Sequence, residues 1–181
     1  MPTGYQITNQ GAVYFITLQV VYWIDLFTRQ CHRDVILESL RYCQKNKGLE
    51  IYAWVIMSNH VHLVVRSANE DLSGTLRDFK KFTSKNLVEN VKIDAESRRS
   101  WILKLFEHAA KRSNKKGRYQ VWTHSNHAIE LISHKFIDQK INYIHMNPVK
   151  AGIVVSPELY LYSSAPCYND EKGLLDVIVV T

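Results

Sequence analysis

The 181-residue chain has no run of about 18 or more apolar residues, the length a helix needs to cross a bilayer. Its first residues show no charged segment followed by an apolar one, so no secretory signal is expected, and the expected location is the cytoplasm. Cysteine is scarce: Cys31, Cys43 and Cys167 are odd in number, widely spaced and in no metal-ligand pattern. That argues against a disulfide framework and suits a reducing compartment. Also missing are a Gly-rich phosphate loop, a Gly-x-Ser-x-Gly elbow and a His-Glu-x-x-His helix. Nucleotide hydrolysis, esterase chemistry and zinc proteolysis therefore lack a foothold. No repeat or low-complexity segment breaks the chain, which reads as one domain over 1–181 with a C-terminal extension from about 156.

What is present is an ordinary globular composition, 46% hydrophobic and 22% charged, on a chain long enough to bury a core. Acidic residues are outnumbered, 17 against 23 Lys and Arg, giving a net charge of +6. The excess favours a polyanionic partner, and its distribution matters more than its sum. Basic residues gather in 77–85, at Arg98-Arg99 and in 111–118, with aromatics near the first and last groups. Phosphate contact with base stacking is the functional reading, and solvated helix faces with a basic loop are the bland one. The candidate nucleic-acid contacts are Lys80, Lys81, Lys85, Lys115, Lys116, Arg118 and Lys150.

Residue patterning predicts a strand over 13–21, a helix over 33–47 stopped by Gly48, and a hairpin of strands 49–57 and 60–66 turning at Ser58-Asn59. Asp71 or Ser73 can cap a helix running to about Asn90. A second long helix is predicted over 93–112, with Trp101, Ile102, Leu105, Phe106 and Ala109 on its buried face. A fourth, short strand is expected over 119–122, while 127–131 reads equally as sheet or irregular chain. The last helix, 135–146, should break before Pro148. Beyond it, 156–165 reads as loop, and 174–180 as an edge strand or a segment packed on a partner. These elements predict an α+β, ferredoxin-like fold, a mainly antiparallel sheet with helices packed on one face.

Two places carry chemistry. In the second hairpin strand, His60 and His62 share a face because side chains alternate, with Val61 and Leu63 in the opposite layer. Co-facing imidazoles can bind a divalent metal that polarises a phosphoryl oxygen, although half-exposed strand histidines are a common alternative. On the last helix Tyr143 and Asn147 are four apart on one face, with Ile137, Ile141 and Ile144 as a separate apolar stripe. A tyrosine there is either an amphipathic residue at the stripe's edge or a nucleophile, and a phenol needs a nearby cation to be an effective one at neutral pH. His124, His127, His134 and His145 read as surface or sheet-edge histidines.

Two long motifs carry a resemblance. They are Tyr52-Ala53-Trp54-Val55-Ile56-Met57-Ser58-Asn59-His60-Val61-His62-Leu63-Val64 and Tyr143-Ile144-His145-Met146-Asn147-Pro148-Val149-Lys150-Ala151-Gly152. With Phe79-Lys80-Lys81-Phe82-Thr83-Ser84-Lys85 between them and Tyr160-Leu161-Tyr162-Ser163-Ser164-Ala165 after them, the chain resembles the single-tyrosine HUH transposases, in particular the REP-associated branch. The resemblance implies a metal-dependent single-stranded DNA endonuclease and strand transferase. Tyr143 would be its catalytic nucleophile, forming a 5′-phosphotyrosine intermediate, and His60, His62 and Asn147 would hold Mg²⁺ or Mn²⁺. It further implies structured, palindromic single strands as ligand and no nucleotide cofactor. Insertion-sequence relatives carry glutamine where Asn147 stands and form dimers, whereas the REP-associated branch includes monomers. A noncatalytic hairpin-binding protein is the rival expectation.

Overall fold

The computed structural model describes residues 6–93, 96–114 and 117–180. β1 (Tyr14–Gln19) leads through two short 3₁₀ turns, Val21–Trp23 and Leu26–Thr28, into α1 (Gln30–Lys47). Gly48 ends α1 with φ 66°, a left-handed cap whose N–H bonds the Cys43 carbonyl. β2 (Leu49–Ile56) and β3 (His60–Ser67) form the expected hairpin, and α2 (Leu72–Ile93) follows. Asp71 caps α2, its Oδ1 accepting the Gly74 N–H at 3.0 Å. After α3 (Arg99–Arg112), β4 (Ile129–Glu130) joins the sheet and α4 (His134–Lys150) completes the main body. The strand order β2-β3-β1-β4, with every pairing antiparallel, is that of a split β-α-β fold of ferredoxin-like type.

Strand alternation sorts the core into two layers. Tyr14, Ile16 and Leu18 of β1 join Val61, Leu63 and Val65 of β3 under α1 and α2. Phe15, Ala53, Val55 and Val64 face the other way, where Ile141 and Ile144 of α4 seal them. Burying each isoleucine is worth about 1.5–3 kcal/mol. The α+β fold with an antiparallel sheet is as expected, and α1 and α2 cover one face as expected. α4 lies on the opposite face, because Phe15, Val55 and Val64 present a second apolar surface there. A register shift between Ile51 and Ala53 lets β2 feed both layers, with Ile51 in one and Ala53 and Val55 in the other.

Four local expectations change. The helix predicted over 93–112 starts only at Arg99, and Trp101 is 52% exposed beside the buried stripe of Ile102, Phe106, Ala109 and Ala110. The segment 119–122 makes a single bridge, Val20 to Trp122, and the edge strand is β4. Its side chains are drawn into the core, where the Trp122 indole N–H donates to Thr83 Oγ1 at 2.9 Å. α4 does not break before Pro148 but runs through it to Lys150. The proline costs one bond to the Ile144 carbonyl, but it is buried in the final turn, which the Ala151 N–H closes on the Asn147 carbonyl. Finally, the C-terminal chain covers the β2 edge. Ser163 bridges Val55, the Ser164 N–H reaches the Trp54 carbonyl, and the Ile178 N–H reaches the Ile51 carbonyl. His145 of α4 is tied to this extension by its Nε2 and Ser164 Oγ at 2.8 Å.

Candidate active site

The β1–β3 register sets the first half of the site. Thr17 lies opposite His62 and Gln19 opposite His60, so both imidazoles project from the face that α4 covers. Their ring centroids are 4.6 Å apart. Each ring is held through Nδ1, His60 by Asn59 Oδ1 at 2.8 Å and His62 by Thr17 Oγ1 at 2.9 Å. Asn59 is itself oriented, because its amide N–H donates to Asp25 Oδ1 at 2.9 Å. Only the amide oxygen can therefore face His60, which puts the His60 proton on Nδ1 and leaves Nε2 with its lone pair. Burial lowers the pKa of His60. It drives His62 down to about 3, with further contributions from His60 and Lys140. Both rings are neutral at pH 7, as metal ligands must be.

α4 supplies the second half. Ile141 and Ile144 anchor it to the sheet, turning Tyr143, 40% exposed, to the site side. The Tyr143 ring stands edge-on to His62 at 5.4 Å and to Phe15 at 5.8 Å, while Phe15 stacks on His62 at 5.2 Å. Lys140 Nζ sits 4.5 Å from the Phe15 ring centre and 5.5 Å from that of Tyr143, and Lys150 Nζ is 5.7 Å from the latter. Asn147 lies one turn past Tyr143, half-buried on the same helix face. Among the described residues no group of three or more His, Cys, Asp or Glu gathers to hold a metal. The donors this face brings together are the two imidazoles, a set that would suit a weakly held, exchangeable ion.

A family profile described as IS200-like transposase matches residues 10–147, which spans both histidines and the tyrosine. The chain belongs to the IS200-like transposase family. No curated protein matches it. A solved structure of a REP-associated tyrosine transposase bound to a REP hairpin shares the fold, with a TM-score of 0.60 and 18% identity over 98% of this chain and 93% of that one. Among the described residues, no helix of this IS200-like chain is long and apolar enough to cross a membrane.

The expected basic contacts of this transposase-family chain divide into distinct roles. A groove of about 1160 Å³ runs between α2 and the 119–127 segment, lined by Arg77, Lys80, Lys81, Tyr119, His124 and His127 among others. Lys81 and Lys85 are exposed on α2. Lys80 is engaged internally, donating to the Thr123 carbonyl at 2.8 Å and to Asn126 Oδ1 at 2.7 Å. Arg118 pairs with Glu107 at 2.6 Å, and Lys150 stands beside Tyr143. Lys115 and Lys116 lie outside the described residues. The groove meets the histidines through one loop, since the Asn126 carbonyl accepts the Thr17 N–H at 2.8 Å.

Sequence reasoning missed Thr17, Phe15 and Lys140 and read Asn59 only as a turn residue. Lys140 could have been found, being three residues before Tyr143 on one helix. Thr17 carries no local signal, because its partner is 45 residues away and the two meet only through strand register.

Proposed function

We propose that this IS200-like chain nicks single-stranded DNA at hairpin-associated sites and transfers the strand through Tyr143. The observation that carries the reading is the Tyr143 ring set edge-on against His62, on the one sheet face that also bears His60. In the proposed step the Tyr143 Oη–P bond forms as the P–O3′ bond breaks. The phenolic proton passes to water, and the departing 3′ oxygen takes up a proton. The product is a 5′-phosphotyrosine, and attack by a 3′ hydroxyl reverses the step and rejoins strands without a nucleotide cofactor.

His60 and His62 would hold Mg²⁺ or Mn²⁺ through Nε2, with Asn147 contributing an amide oxygen. Such an ion supplies charge neutralisation at the phosphoryl oxygens. The chain's own groups do the rest. Asn59 and Thr17 orient the imidazoles, Phe15 backs the tyrosine, and Lys140 and Lys150 attract the phosphate. The Lys81 groove offers a path for the hairpin stem or its flank. The hairpin bound to the similar REP-associated transposase supports a structured single strand as ligand.

The test is incubation of labelled palindromic single strands with Mn²⁺ and wild type or Tyr143→Phe. A denaturation-resistant DNA adduct on wild type alone is expected. Its absence across a diverse substrate pool overturns the enzymatic reading. The second reading, hairpin binding without cleavage, draws on the two-histidine site lacking an acidic ligand among the described residues, and binding without any adduct would favour it.

A further inference from the structure

Between β1 and α1 the chain does something costly. Tyr22 and Trp23 are consecutive aromatic residues, and both have φ of 55°, in the left-handed region that bulky side chains rarely adopt. The conformation is enforced from both sides. Val21, Ile24, Leu26 and Phe27 are buried, so the loop is pinned by its own apolar neighbours. The Val20 N–H bonds the Asn59 carbonyl at 2.9 Å, and the Phe27 N–H bonds the Ser58 carbonyl at 2.8 Å, lashing it to the hairpin turn. Arg98, held by the buried Glu96 carboxylate, clamps the Asp25 carbonyl at 3.1 Å.

With its neighbours buried, the loop turns two aromatic rings outward, Tyr22 at 41% and Trp23 at 58% exposure. They are not equivalent. The Tyr22 hydroxyl is engaged with His108 Nδ1 of α3 at 2.7 Å. The Trp23 ring instead stands edge-on to His60, with centroids 6.1 Å apart, and its carbonyl accepts from the same Asn59 amide that orients His60, at 3.4 Å. The strained backbone thus holds a large aromatic face out in water at the rim of the histidine site.

We infer that Trp23 is a base-stacking residue, which takes the face of a nucleobase flanking the phosphate engaged at His60 and His62. This rests on the DNA-processing reading above and adds to it a residue that fixes the strand's register. A nucleobase is the occupant because the ring is continuous with the histidine site, where Lys140 and Lys150 provide for phosphate. Stacking is tolerant of sequence because every base has a π-face, so Trp23 places the strand and the hairpin supplies selectivity.

Tryptophan fluorescence can isolate the contact. Trp54 and Trp122 are buried and Trp101 is exposed on α3, so Trp101→Phe serves as the control. Wild type, Trp23→Phe, Trp23→Ala and Trp101→Phe are titrated in EDTA with hairpin oligonucleotides carrying randomised single-stranded flanks, and with the same hairpins without flanks. Flanked DNA is expected to quench wild type and Trp101→Phe, and Trp23→Phe should lose most of that quench. Trp23→Ala should bind flanked hairpins roughly 10-fold more weakly and flankless ones as wild type does. Wild type that binds flanked DNA with no Trp23-dependent quench, or Trp23→Ala with an unchanged preference for flanks, overturns the inference alone. Wild type that binds neither DNA overturns the DNA-processing reading and the inference with it.

Discussion

Glu96→Gln should destabilise the protein in a pH-dependent way that the site loop's anchoring predicts. Glu96 is 6% exposed and accepts from Arg98 Nε and from the Arg98 backbone N–H, both at 3.0 Å, with Arg29 at 3.7 Å. These contacts, the Arg98 side chain foremost, hold its carboxyl well below the usual 4.5, at about 2. A depressed carboxyl pKa contributes stability above the unfolded value of 4.5 that is lost as pH falls toward 2. The shift corresponds to an upper figure of about 3 kcal/mol. Because Arg98 and Arg29 are 35% and 34% exposed, screening reduces the expected effect, to about 2 kcal/mol. With a urea slope of about 2 kcal/mol/M, Glu96→Gln should lower the unfolding midpoint at pH 7 by about 1 M. The gap between variant and wild type should shrink to roughly half or less by pH 3. Urea melts at pH 7, 4.5 and 3 read both numbers. An unchanged midpoint at pH 7, or a gap as wide at pH 3 as at pH 7, refutes the reasoning.

Asn59→Ala removes the acceptor that fixes the His60 tautomer and should weaken Mn²⁺ binding roughly 10- to 100-fold in calorimetry while leaving the fold intact; unchanged affinity counts against that role. Lys80→Met and Lys81→Met should part company. The first loosens the 123–126 loop and lowers the melting temperature, whereas the second leaves it alone and reduces the salt dependence of DNA binding by about one phosphate contact. Ile144→Ala should cost about 2–5 kcal/mol in chemical denaturation, since Ile144 seals α4 to the sheet at full burial.

Periodicity revealed what depends on local pattern. The hairpin, α1 with its Gly48 cap and the shared face of His60 and His62 all follow from residues adjacent in sequence. Four features needed the third dimension. The placement of α4 on the second sheet face depends on Phe15 and Val64, which no helix pattern can identify as its partners. The continuation of α4 through Pro148 reflects burial overriding a local preference at the end of a helix. Lys80 reads as a free phosphate contact until the 123–126 loop folds back onto it. Trp23 lies in the apolar run Val20-Val21-Tyr22-Trp23-Ile24, just past the strand expected over 13–21, and its place beside His60 singles it out only once the chain is folded.

Mapping the covalent bond tests the central claim most directly. Wild-type protein incubated with Mn²⁺ and hairpin single strands is trapped, digested with nuclease and trypsin, and sequenced by mass spectrometry. The expected product is peptide 141–150 carrying a nucleotide phosphate on Tyr143. An adduct on any other residue, or DNA cleaved with no protein linkage, contradicts the account.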